Sequence, residues 1–192
     1  MEPRLAEAKA GIRAVFFVDA AHFVLAPFIG FLWSLTRIFI QAPAGRQRFN
    51  VLGAINAITQ ELITVTNDTY ITAESVCVLL DKLHNLKLGI PITLFLDNAR
   101  YQHCALVIEK AACLQIELCF LPSYSPNLNL IERLWKFVKK KCLYSRYYPD
   151  YAAFKTAITE CLEQTSTTHK TELTSLLSLR FQLFEKAQFS PV

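Results

Sequence analysis

The chain opens with a short polar stretch, Met1 to Gly11, in which charged residues are mixed with alanines, and reads as the end of a helix or a linker. It then changes character. Ala14 to Ala20 (AVFFVDA) is a continuous apolar run rich in Val and Phe that closes on a carboxylate, Asp19, the pattern of a strand covered on both faces. From Phe23 to Arg48 periodicity is weak and Pro27, Gly30, Pro43 and Gly45 punctuate it, which predicts irregular structure with room for one short strand. Phe49 to Ala57 and Glu61 to Thr66 predict an antiparallel hairpin. Thr72 is an N-cap for an amphipathic helix carrying Val76, Leu79, Leu80 and Leu83 and running up to Gly89. Pro91 to Leu96 (PITLFL) is a second buried strand that ends on a carboxylate, Asp97. Tyr101 to Leu114 predicts a helix, Ile116 to Leu121 a third buried strand, and further helices cover about Asn127 to Leu143, Asp150 to Gln164 and Glu172 to Lys186. A hairpin group followed by alternating strands and helices is the order of a mixed sheet covered by helices.

A length of 192 residues suits one domain with a small appendage, and 53% hydrophobic against 19% charged residues excludes a disordered or collagen-like chain. The excess of 20 Lys and Arg over 16 Asp and Glu is mild and permits a polyanionic partner without demonstrating one. The cysteines, Cys77, Cys104, Cys113, Cys119, Cys142 and Cys161, form no C-x-x-C pair, which argues against zinc. A hydrophobic core of this size needs no disulfide framework, so the thiols are read as reduced and the location as cytoplasmic. Ala14 to Leu35 imitates a membrane span, but Asp19 interrupts it; a carboxylate at mid-span costs about 2.5–3.5 kcal/mol, so a buried strand is the better reading and no membrane partner is expected. Neither a phosphate-binding P-loop nor a dinucleotide fingerprint occurs, and no His spacing suits a metal.

Asp19 and Asp97 end apolar strands and Glu132 opens a helix just after one. Strand ends gather at one edge of such a sheet, so the three acids can converge there, with a hard cation such as Mg²⁺ or Mn²⁺ to offset their repulsion. Taken singly, each has a plainer role, the aspartates as turn formers and Glu132 as a solvated helix residue.

The local sequence changes that balance. LFLDNARYQH (Leu94 to His103) and LPSYSPNLNLIERLW (Leu121 to Trp135) strongly resemble the second and third acidic blocks of DDE transposases of the mariner superfamily, in its bacterial insertion-sequence branch. Pro122, Tyr124, Ser125, Pro126, Leu128, Asn129, Ile131, Glu132 and Trp135 fill the fixed positions of the third block, and 34 residues separate Asp97 from Glu132. FFVDAAHF around Asp19 resembles the first block, with Ala20 where Glu is frequent; Trp33 and the stretch Gly45 to Arg48 resemble the segment leading to the second strand.

The resemblance implies a ribonuclease H-like fold, a mixed five-stranded sheet with helices on both faces, formed by residues 14–145. Residues 1–13 are expected to be a linker or remnant of a missing N-terminal region, and 146–192 a C-terminal helical extension. It also implies catalysis by two Mg²⁺ ions, replaceable by Mn²⁺, with Asp19 shared between them, Asp97 on one and Glu132 on the other. The implied reaction is phosphodiester hydrolysis at transposon ends and strand transfer to target DNA, by a homo-oligomer assembled on the DNA. Lys136, Lys139 and Lys140 follow Glu132 on one helix face and are candidate phosphate contacts, as are Arg46, Arg48 and Arg100. Asn98, His103 and Asn129 are expected to support the acids, although Asn98 serves equally as an N-cap for the next helix. Trp135 is expected to anchor the core. Members of this family carry a helix-turn-helix before the catalytic core, and the first 13 residues hold none, so a separate N-terminal polypeptide is an expected partner. The alternatives are a ribonuclease H-like nuclease without strand transfer, and an inactive remnant that binds DNA or oligomerises.

Overall fold

The computed structural model describes residues 1–25, 35, 47–122 and 126–181. Five strands form one mixed sheet: β1 (Ala14–Val24), β2 (Arg48–Asn56), β3 (Leu62–Asn67), β4 (Ile92–Leu96) and β5 (Ile116–Phe120), in the order β3-β2-β1-β4-β5. β1 is central, antiparallel to β2 and parallel to β4, and β4 is parallel to β5. The helices are α1 (Glu2–Lys9), α2 (Ala73–His84), α3 (Ala105–Cys113), α4 (Ile131–Cys142), α5 (Tyr151–Glu163) and α6 (Lys170–Leu176).

The period-2 alternation of β1 sorts its side chains into two cores. Phe16 and Val18 face α2 and α3, joining Leu79, Leu80, Leu83, Leu94 and Val107. Val15, Phe17, Ala21 and Phe23 face the other side, where Leu5 of α1, Leu134 and Trp135 of α4, Phe154 and Ile158 of α5 and Leu173 of α6 complete a second cluster. Helices therefore cover both faces, and the two C-terminal helices share the second core with β1 and α4 rather than forming a separate body.

Several predicted boundaries shift for identifiable reasons. β1 continues to Val24 because β2 pairs with it as far as Arg48, so Asp19 lies in the middle of this strand and not at its end, and Phe23 and Arg48 belong to strands and not to an irregular segment. α2 stops at His84, before the left-handed backbone of Lys87 and Gly89, and not at Gly89. α3 starts at Ala105 and is preceded by turns, so Tyr101 lies outside it. α6 spans Lys170–Leu176; the predicted continuation from 182 to 186 lies outside the described residues, as do Trp33, Gly45, Arg46 and Ser123 to Ser125.

Residues 2–9 form a helix tied to the sheet. Leu5 and Ala8 are buried, Arg4 Nη2 bonds Glu117 at 2.6 Å, and Arg13 Nη1 bonds Thr93 Oγ1 at 2.9 Å while its Nε pairs with Glu7. This network grips the N-terminal ends of β4 and β5, opposite to the edge that carries the acids.

Gly53 of β2 is the register partner of Asp19 and lies beneath the indole of Trp135. A Cβ there would stand 2.8 Å from Trp135 Cη2 and 2.9 Å from Ile131 Cδ1, so only glycine lets α4 seat this closely. Gly53→Ala is expected to cost about 1–3 kcal/mol of unfolding free energy in urea denaturation, the range for overpacking. An unchanged midpoint would show that α4 can lift without penalty.

Candidate active site

The parallel ladder between β1 and β4 ends at the pair Phe17↔Phe95, whose rings stack with centroids 5.3 Å apart on the α4 side of the sheet. Asp19 lies two residues beyond Phe17 and Asp97 two beyond Phe95. Period-2 alternation therefore directs both to the same face, abreast of each other, where the strands have stopped pairing. α4 crosses that face with Leu134, Trp135 and Val138 buried, and Glu132 stands half-buried in its first turn, where the positive end of the helix dipole favours a carboxylate.

Beyond the last rung, β1 has lost its β4 partner, and a side chain supplies the replacement. Asn129, just before α4, donates from Nδ2 to the Val18 carbonyl at 3.1 Å. The acceptor is a carbonyl, so the amide orientation is fixed, and Oδ1 remains buried without a partner. Asp97 Oδ1 accepts from the Ala99 N–H at 3.1 Å in an Asx turn, and Asn98 Nδ2 donates to the Leu121 carbonyl at 2.8 Å, tying the ends of β4 and β5 together. The N-cap of α3 is Cys104, so the N-cap reading of Asn98 is corrected.

Electrostatics single out Asp19. Burial, then the negative charge of Glu132, and less strongly that of Asp97, push its carboxyl up to about 7, against the opposing pull of the Ala20 main chain and the Trp135 indole. Trp135 Nε1 is buried and meets no acceptor at hydrogen-bond geometry, so it acts on Asp19 as a nearby dipole rather than through a formed bond. Tyr101 is held near the same charges; burial first, then Asp97 and Asp19, raise its phenol to about 12, and Gln102 Nε2 lies 3.4 Å from its hydroxyl. The buried side-chain atoms without a partner among the described residues are Gln102 Oε1, Asn129 Oδ1 and Trp135 Nε1, one belonging to each of these contacts around the acids. The acids thus interact, yet among the described residues no group of three or more His, Cys, Asp or Glu side chains stands close enough to hold one metal ion.

The other candidates are dispersed. Lys136 and Lys140 are exposed on the Glu132 helix, whereas Lys139 is half-buried. Arg100 is exposed in the turn after Asp97, and His103 stacks edge-on against Phe120 at 4.5 Å. Arg48 faces Val24, five residues along β1 from Asp19, roughly 17 Å at strand rise, beside an open cavity of about 460 Å³ that Tyr70 and Tyr151 also line. Sequence reasoning missed Tyr101 and Gln102, whose proximity depends on the turn that replaces the predicted start of α3, and Gly53, whose signal was an isolated glycine inside a strand. It also missed Arg133, which donates to the carbonyls of Leu176 (3.3 Å), Ser178 (2.5 Å) and Arg180 (2.7 Å) and lies over the Phe181 ring. No helix among the described residues is long and apolar enough to cross a membrane.

The raised value of Asp19 makes stability depend on pH. A carboxyl that prefers its proton when folded contributes fully below about pH 4 and loses that contribution as pH rises to about 7. In metal-free buffer at pH 8, Asp19→Asn is expected to be more stable than the parent by about 2–4 kcal/mol, the gap closing toward pH 4, as read by urea denaturation across that range. A gap of constant size across pH would mean that Asp19 is not the strained group.

The sequence matches the model of a family described as DDE superfamily endonuclease over residues 14–155. No curated protein matches it. Among solved structures, the chain is similar to that of a Mos1 strand transfer complex, with TM-score 0.58 and 13% identity over 96% of this chain and 60% of that one. It is also similar to the Mos1 transposase paired-end complex with left transposon end, with TM-score 0.57 and 12% identity over 91% and 59%. A third likeness is to the HTLV-2 integrase catalytic core domain in complex with magnesium, in its dimeric form, with TM-score 0.52 and 13% identity over 80% and 86%. This chain therefore spans no more than 60% of either Mos1 chain. At these identities the likeness is one of fold, the ribonuclease H-like core of transposases and integrases. The family match covers three quarters of the chain and runs through both acid-bearing strands and α4, and on that ground the chain belongs to the DDE superfamily endonucleases.

Proposed function

We propose that this chain is the catalytic domain of a DNA transposase of the mariner superfamily's bacterial insertion-sequence branch, cutting phosphodiester bonds at transposon ends and joining them to target DNA. The observation that carries the reading is the placement of Asp19 and Asp97 abreast at the end of the β1–β4 ladder, with Glu132 close enough to raise Asp19. Their oxygens suit hard divalent cations, and a carboxylate driven toward protonation by burial and by its acidic neighbours is a group that a cation would relieve. Asp19 with Asp97 and Asp19 with Glu132 would hold one Mg²⁺ or Mn²⁺ per pair, a division that needs no cluster of three. Bound there, such ions supply activation of a water or DNA 3′-hydroxyl and stabilisation of the leaving oxygen.

The chain's own residues have supporting tasks in this scheme. Asn129 holds the strand at Val18 so that Asp19 stays opposite α4, and Asn98 fixes the turn that carries Asp97. Lys136, Lys140 and Arg100, all exposed, would hold DNA phosphates beside the acids, with Lys139 and Arg48 as outlying contacts. DNA is the expected partner, bound by a homo-oligomer, and a separate helix-turn-helix polypeptide would supply recognition of transposon ends. Hydrolysis and joining differ only in the nucleophile, so a nuclease that does not join strands is the second reading, favoured by the family's description as an endonuclease.

A labelled duplex ending in a free 3′-hydroxyl, incubated with plasmid and Mn²⁺, separates the two. Joined product is expected for the parent, and cleavage without joining would select the nuclease. Asp97→Asn is expected to lower both reactions by at least about 100-fold, the upper range for loss of a mere supporting contact to a metal ligand, and equal rates would remove Asp97 from the mechanism. Replacing Lys136 and Lys140 together by Ala should weaken binding to unrelated duplexes alike and reduce the slope of log affinity against log salt by roughly 1.8, or about 0.9 per lysine. An unaltered slope would place the phosphates elsewhere.

A further inference from the structure

Cys142 is the last residue of α4 and Cys161 lies in the last turn of α5; both are buried where the two helices pack. The Cys142 thiol donates to the Ala157 carbonyl at 3.6 Å. Ala157 precedes Cys161 by one helical turn, and an α-helical carbonyl points toward the residue four positions on, so a sulfur at that carbonyl sits beside the Cys161 side chain. The two thiols are therefore neighbours, near enough for each to influence the ionisation of the other. Their surroundings are unequal. The neighbouring Cys142 thiol and, more weakly, the Lys141 ammonium draw the Cys161 thiol below its ordinary value against the effect of its burial, whereas the Cys161 neighbour and burial push Cys142 up. Cys142, whose proton is held on the Ala157 carbonyl, is the resolving partner, which leaves Cys161 as the nucleophile. Access needs only local opening of the segment after α4, where residues 144 to 147 are exposed.

We propose that Cys142 and Cys161 form an oxidative modification site, a dithiol that reacts with a small disulfide of the glutathione class to give one intramolecular disulfide bracing α4 to α5. The Cys161 thiolate attacks one sulfur of glutathione disulfide, breaking that S–S bond and expelling a glutathione thiolate, which takes up a proton. Cys142 then loses its proton to solvent and attacks the Cys161 sulfur, forming the protein S–S bond and expelling the second glutathione. Two protein thiols are oxidised and one external disulfide is reduced to two thiols. The site does not depend on the catalytic reading, because neither cysteine touches the acids.

The native chain, incubated with glutathione disulfide, quenched by alkylation and digested with trypsin, reports the outcome directly. Cys142 falls in the peptide 142–146 and Cys161 in 156–170, each with a single cysteine. The expected product is these two peptides joined, lighter by two hydrogens and separated by dithiothreitol, with the melting temperature of the oxidised chain raised by about 5–10 °C. Exposed Cys113 should carry glutathione alone and serves as the internal control. Cys161→Ser should abolish the joined product and leave Cys142 alkylated. Recovery of both peptides unjoined from the parent, whether alkylated or each carrying its own glutathione, overturns the proposal, as does joining of either to another cysteine.

Discussion

The architecture turns on where β1 and β4 stop pairing. A parallel ladder that ends at Phe17 and Phe95 leaves each strand free to part from the other, and two residues later each presents an aspartate on the same face. The stacked rings of that last pair fix the two strands at one level, so the spacing of the acids follows from an apolar contact beneath them. Parting exposes main-chain polar groups that a sheet would otherwise satisfy, and α4 arrives with Asn129 to meet one of them at Val18. The helix that delivers the third acid is thus docked through the gap that the first two create.

That arrangement is costly to the folded state. Asp19 is half-buried within reach of the charges on Glu132 and Asp97, and buried polar atoms around it lack partners, which is the pattern of a site shaped for something more than its own stability. The scaffold offsets this with two apolar cores and with the Arg4, Glu7, Arg13 and Glu117 network at the opposite strand ends. Gly53 joins the two demands, because its missing side chain allows Trp135 to fill the core and to face Asp19 at once.

Much of this was legible in the chain itself. Apolar runs closing on Asp19 and Asp97 marked buried strands, and the period of Leu134, Trp135 and Val138 marked the covered face of α4. The motif around Glu132 pointed to the DDE transposases, and the family match bears out that reading at the level of the DDE superfamily. What could not be read was whatever depends on register. Nothing in the sequence says that Phe17 faces Phe95, that Gly53 faces Asp19, or that Asn129 reaches Val18, because each is set by pairing between distant segments. Boundaries failed where tertiary pairing prolonged an element, as in β1, or where local turns displaced one, as before α3. The cysteines read simply as reduced thiols, since only helix packing brings Cys142 to the turn of α5 that carries Cys161.

Arg133 carries a consequence for how the molecule is made. Arg133 follows Glu132 on α4, but the carbonyls it caps belong to residues 176, 178 and 180, more than forty positions later. A ribosome releasing the chain from its N-terminus exposes the whole sheet and α4 well before those carbonyls emerge. Until they do, the guanidinium has only solvent to bond, and the helix bearing the last acid lacks one of its moorings. Synthesis therefore finishes the acid-bearing edge last, so a truncated or stalled product would carry all three carboxylates without the tether that completes their setting.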